Sequence, residues 1–255
     1  MLHQIFLLLC VFISSVFAQS DSECGNATFP LRSDRKNVLI VGDSISMVPP
    51  YTPGGYGAIL HDLLEQNGIE AQHAGGWFGG AQCSNTVKGL LCTNSSTPNS
   101  YLNISGNSKF DVCHLNWGLH DLVAACPPGG TGECEEHVDL PIYGSNLVTL
   151  YQRFKTACTK VIWVSTTPNP NITTSMGRTY ELVVQYNEEA KTALTKGIAP
   201  DTLIIDDLWT DMISYCGAYY TSCDLQLPKN VHLTPKGENF TAYKAFASIY
   251  SALGL

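Results

Sequence analysis

The sequence predicts an α/β fold: a three-layer α/β/α sandwich with a parallel sheet of about five strands. Short apolar runs recur along the chain, and longer stretches with apolar residues at helical spacing lie between them. Strands that alternate with helices in this way form parallel sheets covered by helices on both faces. Because no linker, repeat or low-complexity tract divides the chain, we expect one domain.

Five apolar runs are the predicted strands. Apolar runs of this kind, alternating with helical segments, are typical of the strands of a parallel sheet. The runs are Val38–Val41, Ile69–Ala74, Phe110–Trp117, Val161–Thr166 and Leu203–Ile205.

Four segments between or after these runs are the predicted helices. The last has Thr234 as its N-cap and Pro235 in its first turn, where proline fits a helix. Two other stretches, Gly75–Gly80 and Cys126–Pro141, fit no regular element and are predicted as loops. The helices are Tyr56–Gln66, Ser145–Cys158, Gly177–Thr195 and a segment from Pro235 to about Leu253.

The chain begins with a short apolar segment typical of a secretory signal. Ile5 to Ile13 is apolar, and small or modest residues lead to Ala18, where cleavage is expected. Residues 1–18 are therefore the predicted signal peptide, and 19–255 the single mature domain. The apolar stretch is too short for a comfortable membrane span, and no later segment is long and apolar enough.

Cysteine usage agrees with secretion. Ten cysteines occur, and removal of Cys10 with the signal leaves an odd number, so one thiol is free or paired outside the chain. The chain has no CxxC pair, which argues against a zinc site. Pairing of Cys24, Cys113 and Cys158 stays open. Short loops favour the bridges Cys83–Cys92, Cys126–Cys134 and Cys216–Cys223.

Composition excludes some partners. The net charge is −8, so the chain lacks the basic patch that nucleic acids or anionic membrane surfaces require. Charged residues are only 14% of the chain, and glycans are expected to supply solubility. The N-glycosylation sequons are at Asn26, Asn94, Asn103, Asn171 and Asn239.

Two motifs carry the chemistry. Gly42-Asp43-Ser44 directly follows the first predicted strand, which places the Ser44 hydroxyl at the carboxyl rim of the sheet, where open α/β folds bind ligands. His232 lies near the far end of the chain. A nucleophile early and a histidine late is an order that serine hydrolases use.

These motifs resemble the ordered blocks of the SGNH, or GDSL-type, hydrolases. The matching segments are Gly42–Ser44, Gly79–Gly80, Phe110–Asp121 and His232–Gly237, and the resemblance runs from about Lys36 to the end. It implies a flavodoxin-like sandwich and a serine esterase that needs no metal or organic cofactor.

The resemblance also implies roles for individual residues. Ser44 is the expected nucleophile and His232 its general base. The expected oxyanion donors are the backbone N–H groups of Ser44 and Gly80, with Gly79 as the alternative, and a ring N–H of His120. The family has asparagine where this chain has His120, and Asn116 is the weaker substitute.

A second departure concerns the group that orients the histidine. Family members carry aspartate three residues before it, where this chain has Lys229. Either a backbone carbonyl orients His232 in a Ser–His dyad, or another carboxylate reaches it. Asp224 is the first candidate, followed by Asp206 and Asp207.

The expected activity is that of a secreted serine esterase acting on carboxylic acyl esters. Trp77 and Phe78 are expected to contact the substrate by stacking, Asn116 is a further expected contact, and Trp117 is expected in the core. A small-molecule or glycan ester is the expected substrate, with the O-acetyl ester of a carbohydrate preferred. The alternatives are a lipid ester hydrolase, an acyltransferase, and a non-catalytic binding protein on the same fold.

Overall fold

A computed structural model describes residue 24 and residues 29–46, 55–74, 85–94, 96, 100–102, 108–124, 137–172 and 177–255. These residues form one sheet and the helices that cover it. In chain order the elements are β1 (Lys36–Val41), α1 (Gly57–Gln66), β2 (Ile69–His73), α2 (Thr86–Cys92), β3 (Phe110–Asn116), α3 (Leu140–Ala157), β4 (Cys158–Val164), α4 (Tyr180–Gly197), β5 (Ile204–Asp206), α5 (Leu208–Cys216) and α6 (Pro235–Leu253).

The sheet is parallel throughout, in the order β2-β1-β3-β4-β5. Val38 of β1 pairs with Ala71 of β2 on one side and with Val112 of β3 on the other. All five carboxyl ends therefore lie along one edge of the sheet. The predicted α/β fold with five parallel strands is confirmed.

Alternate residues of the strands pack into two separate cores, one on each face. Leu39 and Leu115 lie in the core covered by α3 and α4. Val38, Ile40 and Val112 lie in the opposite core, against α1, α5 and α6. This period-two division places a helical layer on each face, as the sandwich requires.

Three helix assignments need correction. α3 begins at Leu140, five residues before the predicted start, because Pro141 occupies its first turn rather than ending a loop. The helices α2 and α5 were not predicted. Both are short, with seven and nine residues, so they offer little apolar periodicity to detect. The final helix agrees with prediction, including the Thr234 cap.

The disulfides correct one predicted pairing. Cys216–Cys223 is confirmed, but Cys92 pairs with Cys24 rather than with Cys83. Cys113 pairs with Cys158, which joins the middle of β3 to the first residue of the neighbouring strand β4. Every cysteine in the described part of the chain is paired. The predicted Cys126–Cys134 bridge and the signal peptide lie outside the described residues.

No helix within the described ranges is long and apolar enough to cross a membrane. Among the same residues, no group of three or more His, Cys, Asp or Glu side chains is placed to hold a metal ion.

Candidate active site

Ser44 lies in a tight turn directly after β1. The Asp43 side chain accepts a hydrogen bond from the Ile45 N–H at 2.9 Å, and the Asp43 carbonyl accepts one from the Ser46 N–H at 3.1 Å. Gly42 is required by space, because a Cβ there would lie 2.2 Å from Ser46 Oγ and 2.8 Å from the Asn116 carbonyl oxygen. The turn therefore holds Ser44 at the carboxyl edge of the sheet.

His232 is held by a backbone turn that leads into α6. The Leu227 N–H donates to the His232 carbonyl at 2.9 Å, and the Asn230 N–H donates to the Leu227 carbonyl at 3.1 Å. Lys229 closes this turn in the left-handed region, with a φ of 54°. Two residues after His232, Thr234 caps α6 by accepting from the Gly237 N–H. The backbone is thereby fixed on both sides of His232.

The two predicted catalytic side chains meet at this edge. His232 Nε2 lies 3.0 Å from Ser44 Oγ, within hydrogen-bonding distance. On the other side of the ring, Nδ1 lies 2.9 Å from Oδ1 of Asn230, and the His232 backbone N–H donates to the same oxygen at 3.1 Å. The imidazole is therefore held between Ser44 and Asn230.

The surroundings favour a neutral His232. Burial lowers its pKa to about 4, and the positive charges of Arg178 and His120 contribute further. At neutral pH the ring is thus an unprotonated base, the state that can accept the proton of a serine hydroxyl.

Buried ionisable side chains accompany the turn. Burial raises the pKa of Asp43, while the charges of His120 and Arg178 oppose that rise. Arg178 is itself buried, and its Nε donates to the Leu119 carbonyl at 2.7 Å. The same two basic side chains therefore influence the pKa of both Asp43 and His232. Nothing in the sequence pattern marked Arg178 as part of this group.

The expected orienting carboxylates have other partners, so that expectation was wrong. Asp224 is exposed and pairs with Lys236 Nζ at 2.6 Å. Asp206 lies 3.0 Å from the buried His114 ring. Asp207 caps α5 and pairs with Lys191. Asn230, two residues before His232, takes the place that these carboxylates were expected to fill.

His120 lies in the turn after β3. It is buried, and it is close enough to Asp43 and His232 for a positive charge on its ring to influence the pKa of both. Gly118 makes the turn feasible, since its φ is +142° and a Cβ would lie 2.1 Å from Thr166 Oγ1. Asp121 anchors the turn by accepting from the Thr86 N–H at 2.8 Å.

The remaining predicted site residues divide into two groups. Asn116 ends β3 and is buried, with its Nδ2 at 3.5 and 3.4 Å from the Val164 and Ser165 carbonyl oxygens. Trp117 packs against Phe154 in the core, as predicted. The others lie outside the described residues: Trp77, Phe78, Gly79 and Gly80.

A separate open depression of 660 Å³ lies at the opposite edge of the sheet, near the start of β1. Two of its cations are engaged by neighbouring carboxylates, with Lys36 bound to Asp111 and Arg35 to Glu65. This depression does not include Ser44 or His232. The candidate catalytic residues Ser44 and His232 therefore lie at the carboxyl edge of the sheet, away from this depression.

No family model matches this sequence, and no curated protein matches it either. Solved structures do match in fold. An acetyl xylan esterase has a TM-score of 0.60 at 18% identity, covering 84% of this chain and 99% of that one.

Two further structures agree. An acetylxylan esterase from Geobacillus stearothermophilus has a TM-score of 0.57 at 15% identity, covering 84% of this chain and 94% of its own. A GDSL-like lipase from Bacteroides thetaiotaomicron has a TM-score of 0.57 at 15% identity, covering 98% of each chain. This chain therefore shares its fold with acetyl xylan esterases and GDSL-like lipases, the fold that the sequence resemblance predicts.

Proposed function

We propose that this chain is a secreted serine esterase that hydrolyses carboxylic acyl esters through Ser44 and His232. The observation that carries the proposal is the 3.0 Å contact between His232 Nε2 and Ser44 Oγ. A serine hydroxyl is a weak nucleophile until a base accepts its proton, and a neutral imidazole at this distance is such a base.

The reaction has two halves. Ser44 Oγ attacks the ester carbonyl while its proton passes to His232 Nε2, and the same proton then goes to the departing alcohol. The acyl group remains on Ser44. Water attacks this acyl-enzyme, gives a proton to His232, and releases the acid as Ser44 recovers its hydrogen.

The tetrahedral intermediates carry an oxyanion that needs donors. We assign this role to the Ser44 and Gly80 backbone N–H groups and to a ring N–H of His120. The buried position of His120 beside Asp43 and His232 supports its part. One such donor is worth about 3–4 kcal/mol of barrier, so His120 is expected to contribute strongly to rate.

We propose the O-acetyl ester of a carbohydrate as the substrate, contacted by Trp77 and Phe78, with Asn116 nearby. The fold shared with acetyl xylan esterases supports this class. A lipid ester remains the alternative for the same machinery, because the fold is also that of a GDSL-like lipase.

Secretion is proposed from the predicted signal peptide, residues 1–18, followed by the mature domain, 19–255. The Cys24–Cys92 and Cys113–Cys158 bridges support an oxidising destination, since disulfides are rare in reducing compartments. Glycosylation is proposed at the three sequon asparagines that are exposed in the described part of the chain, Asn94, Asn171 and Asn239.

The deciding experiment is hydrolysis of p-nitrophenyl acetate, longer-chain p-nitrophenyl esters and acetylated xylo-oligosaccharides by the secreted protein and by Ser44→Ala. Ser46→Ala is the matched control, because Ser46 lies in the same turn and donates only to the Asp43 carbonyl among described side-chain contacts. We expect turnover in the wild type and the control, and loss in Ser44→Ala. Preference for acetyl over longer chains would support the carbohydrate ester.

Two outcomes would redirect the proposal. Formation of a new ester in the presence of an acceptor alcohol, at the expense of hydrolysis, would indicate an acyltransferase. Absence of turnover together with a Ser44 that a fluorophosphonate leaves unlabelled would indicate a binding protein.

A further inference from the structure

The His232 ring has a neutral partner at the position that an orienting carboxylate occupies in a Ser-His-Asp triad. We propose that Asn230 is the positioning residue of this site, holding His232 in the one tautomer that can activate Ser44, and that its neutral amide keeps the site competent in acidic solution. This inference rests on the proposed function.

The amide orientation of Asn230 follows from its contacts. Its Oδ1 lies 3.1 Å from the backbone nitrogen of His232 and 2.9 Å from His232 Nδ1. A backbone N–H can only donate, so the atom that faces it must be the oxygen and not the amide nitrogen.

The tautomer follows from the orientation. An amide oxygen can only accept, so Nδ1 must carry the proton that it shares with Asn230. In the neutral ring Nε2 is then unprotonated, and it is the atom 3.0 Å from Ser44 Oγ. Asn230 therefore presents the basic nitrogen of His232 to the serine hydroxyl.

Asn230 is itself fixed by local geometry. The contact to the His232 N–H, two residues on, is the bond that asparagine makes in an Asx-turn. The Asn230 N–H donates to the Leu227 carbonyl, and Lys229 takes the left-handed conformation that this turn needs.

The charge of this partner matters for pH. A carboxylate beside Nδ1 would stabilise the imidazolium and raise the pKa of His232, whereas a neutral amide accepts the same hydrogen bond without that effect. The charged groups that reach His232 are Arg178, from the segment before α4, and His120, from the turn after β3. Burial is the larger cause of the lowered pKa of about 4, and a positive charge on either group further opposes protonation of His232.

The lowered pKa of His232 determines the direction in which activity depends on pH. His232 serves as a base only when neutral, so kcat/KM falls as pH drops through the pKa of the free enzyme's histidine. With that pKa lowered, activity persists at pH 5, where an ordinary histidine is largely protonated.

The test compares Asn230→Asp and Asn230→Ala with the wild type. Lys229→Asn is the matched control: it changes the net charge by the same one unit at the neighbouring residue, and asparagine tolerates the left-handed conformation. Two readouts are needed: the pH profile of kcat/KM, and ¹⁵N NMR of the His232 ring, which reports its tautomer and pKa without any substrate.

We expect the wild type and Lys229→Asn to show an acid limb below pH 5 and a ring protonated on Nδ1. Asn230→Asp should move both the acid limb and the NMR titration upward by about one to three pH units. Asn230→Ala should lose kcat/KM and show a mixture of tautomers, with no upward shift of the acid limb.

An unchanged titration in Asn230→Asp, or a wild-type ring protonated on Nε2, would overturn this inference. Failure of the proposed function looks different. In that case Ser44 resists labelling and no ester is hydrolysed, while the NMR titrations still decide what Asn230 does to His232.

Discussion

His232 Nε2 lies 3.0 Å from Ser44 Oγ, although 188 positions separate the two residues in the chain. Their meeting follows from packing. Ser44 directly follows β1, His232 directly precedes α6, and residues of β1 and α6 share one buried core. The fold therefore brings side chains from two distant sequence motifs into contact.

Because the pair acts as a unit, its two residues should not contribute independently to catalysis. We expect Ser44→Ala and His232→Ala each to reduce kcat by about 10⁴-fold or more, and the double variant to be no slower than the worse single one. Steady-state kinetics on p-nitrophenyl acetate would measure all three. Additive losses in the double variant would mean that the two residues act in separate steps.

Asp224→Asn should retain most activity. The Asp224 carboxylate is exposed and bound to Lys236, which also lowers its pKa, so it plays no part in orienting His232. Comparison of kcat/KM for Asp224→Asn and His232→Ala measures this. A loss in Asp224→Asn as large as that in His232→Ala would instead place the carboxylate in a triad.

Most strands were predictable because their runs are largely apolar and lie between helical patterns, although β2 contains Glu70, Gln72 and His73. β1, β2, β3 and β5 begin and end within two residues of their predicted bounds, and β4 begins three residues before its predicted start. The short helices α2 and α5 were missed because seven or nine residues carry too little periodicity. In α3, Pro141 looked like the end of a loop and is in fact part of a first turn.

Site residues that belong to a sequence motif were predictable. Residues that reach the site only through tertiary structure were not. Ser44 and His232 stand in recognisable sequence blocks. One local preference pointed to Asn230, because asparagine side chains often accept a hydrogen bond from the backbone N–H two residues later. The approach of its oxygen to His232 Nδ1, however, depends on the turn at Lys229. Asp224 was selected by nearness in sequence, which says nothing about the direction of its side chain.

One of the predicted disulfides was wrong for a related reason, whereas the short-loop bridge Cys216–Cys223 was correct. Cys83 was favoured as the partner of Cys92 because the loop between them is short, yet the bridge runs to Cys24, 68 residues away. A bridge between distant residues depends on where the fold brings them, so sequence spacing alone cannot identify it.

Removal of the long-loop disulfide should destabilise the protein more than removal of the short one. The chain-entropy model gives about 4 kcal/mol for a separation near that of Cys24–Cys92 and about 2.5 kcal/mol for that of Cys216–Cys223. Denaturant unfolding of the two Cys→Ala double variants measures the difference. Equal losses would indicate that local contacts, rather than loop length, dominate.

Gly237→Ala should impair both stability and activity. A Cβ at Gly237 would lie 1.9 Å from the Leu225 carbonyl oxygen, so α6 would be pushed from the segment that carries His232. We expect about 1–3 kcal/mol of lost stability together with a reduced kcat/KM. Unfolding and kinetics on the same preparation measure both.

Gly254→Ala is the control for that variant. Gly254 has a φ of +77° and open space around its Cβ position, so alanine adds backbone strain but no clash. A stability loss of about 1 kcal/mol with unchanged kinetics is expected. If Gly237→Ala behaved the same way, close approach at Leu225 would not be what positions His232.

Asp121 should make the protein less stable as pH rises. Burial raises its folded-state pKa to about 7, from 3.8 in an exposed group, while Thr86 donates to one of its oxygens. The folded state therefore keeps a proton that the unfolded state has lost. The stability that this proton provides is fully present below pH 3.8 and disappears as pH rises through 7, a change of up to about 4 kcal/mol.

Asp121→Asn should remove that contribution, because the amide oxygen can still accept from Thr86 but no longer ionises. Unfolding free energies at pH 4 and pH 7 should then differ by less in the variant than in the wild type. Asp224→Asn supplies the comparison: the pKa of that exposed carboxyl is lowered, so any stability lost on its replacement is lost at the higher pH. A wild-type pH dependence that survives in Asp121→Asn would assign it to another buried acid, of which Asp43 is the nearest in chemistry, since burial raises its pKa as well.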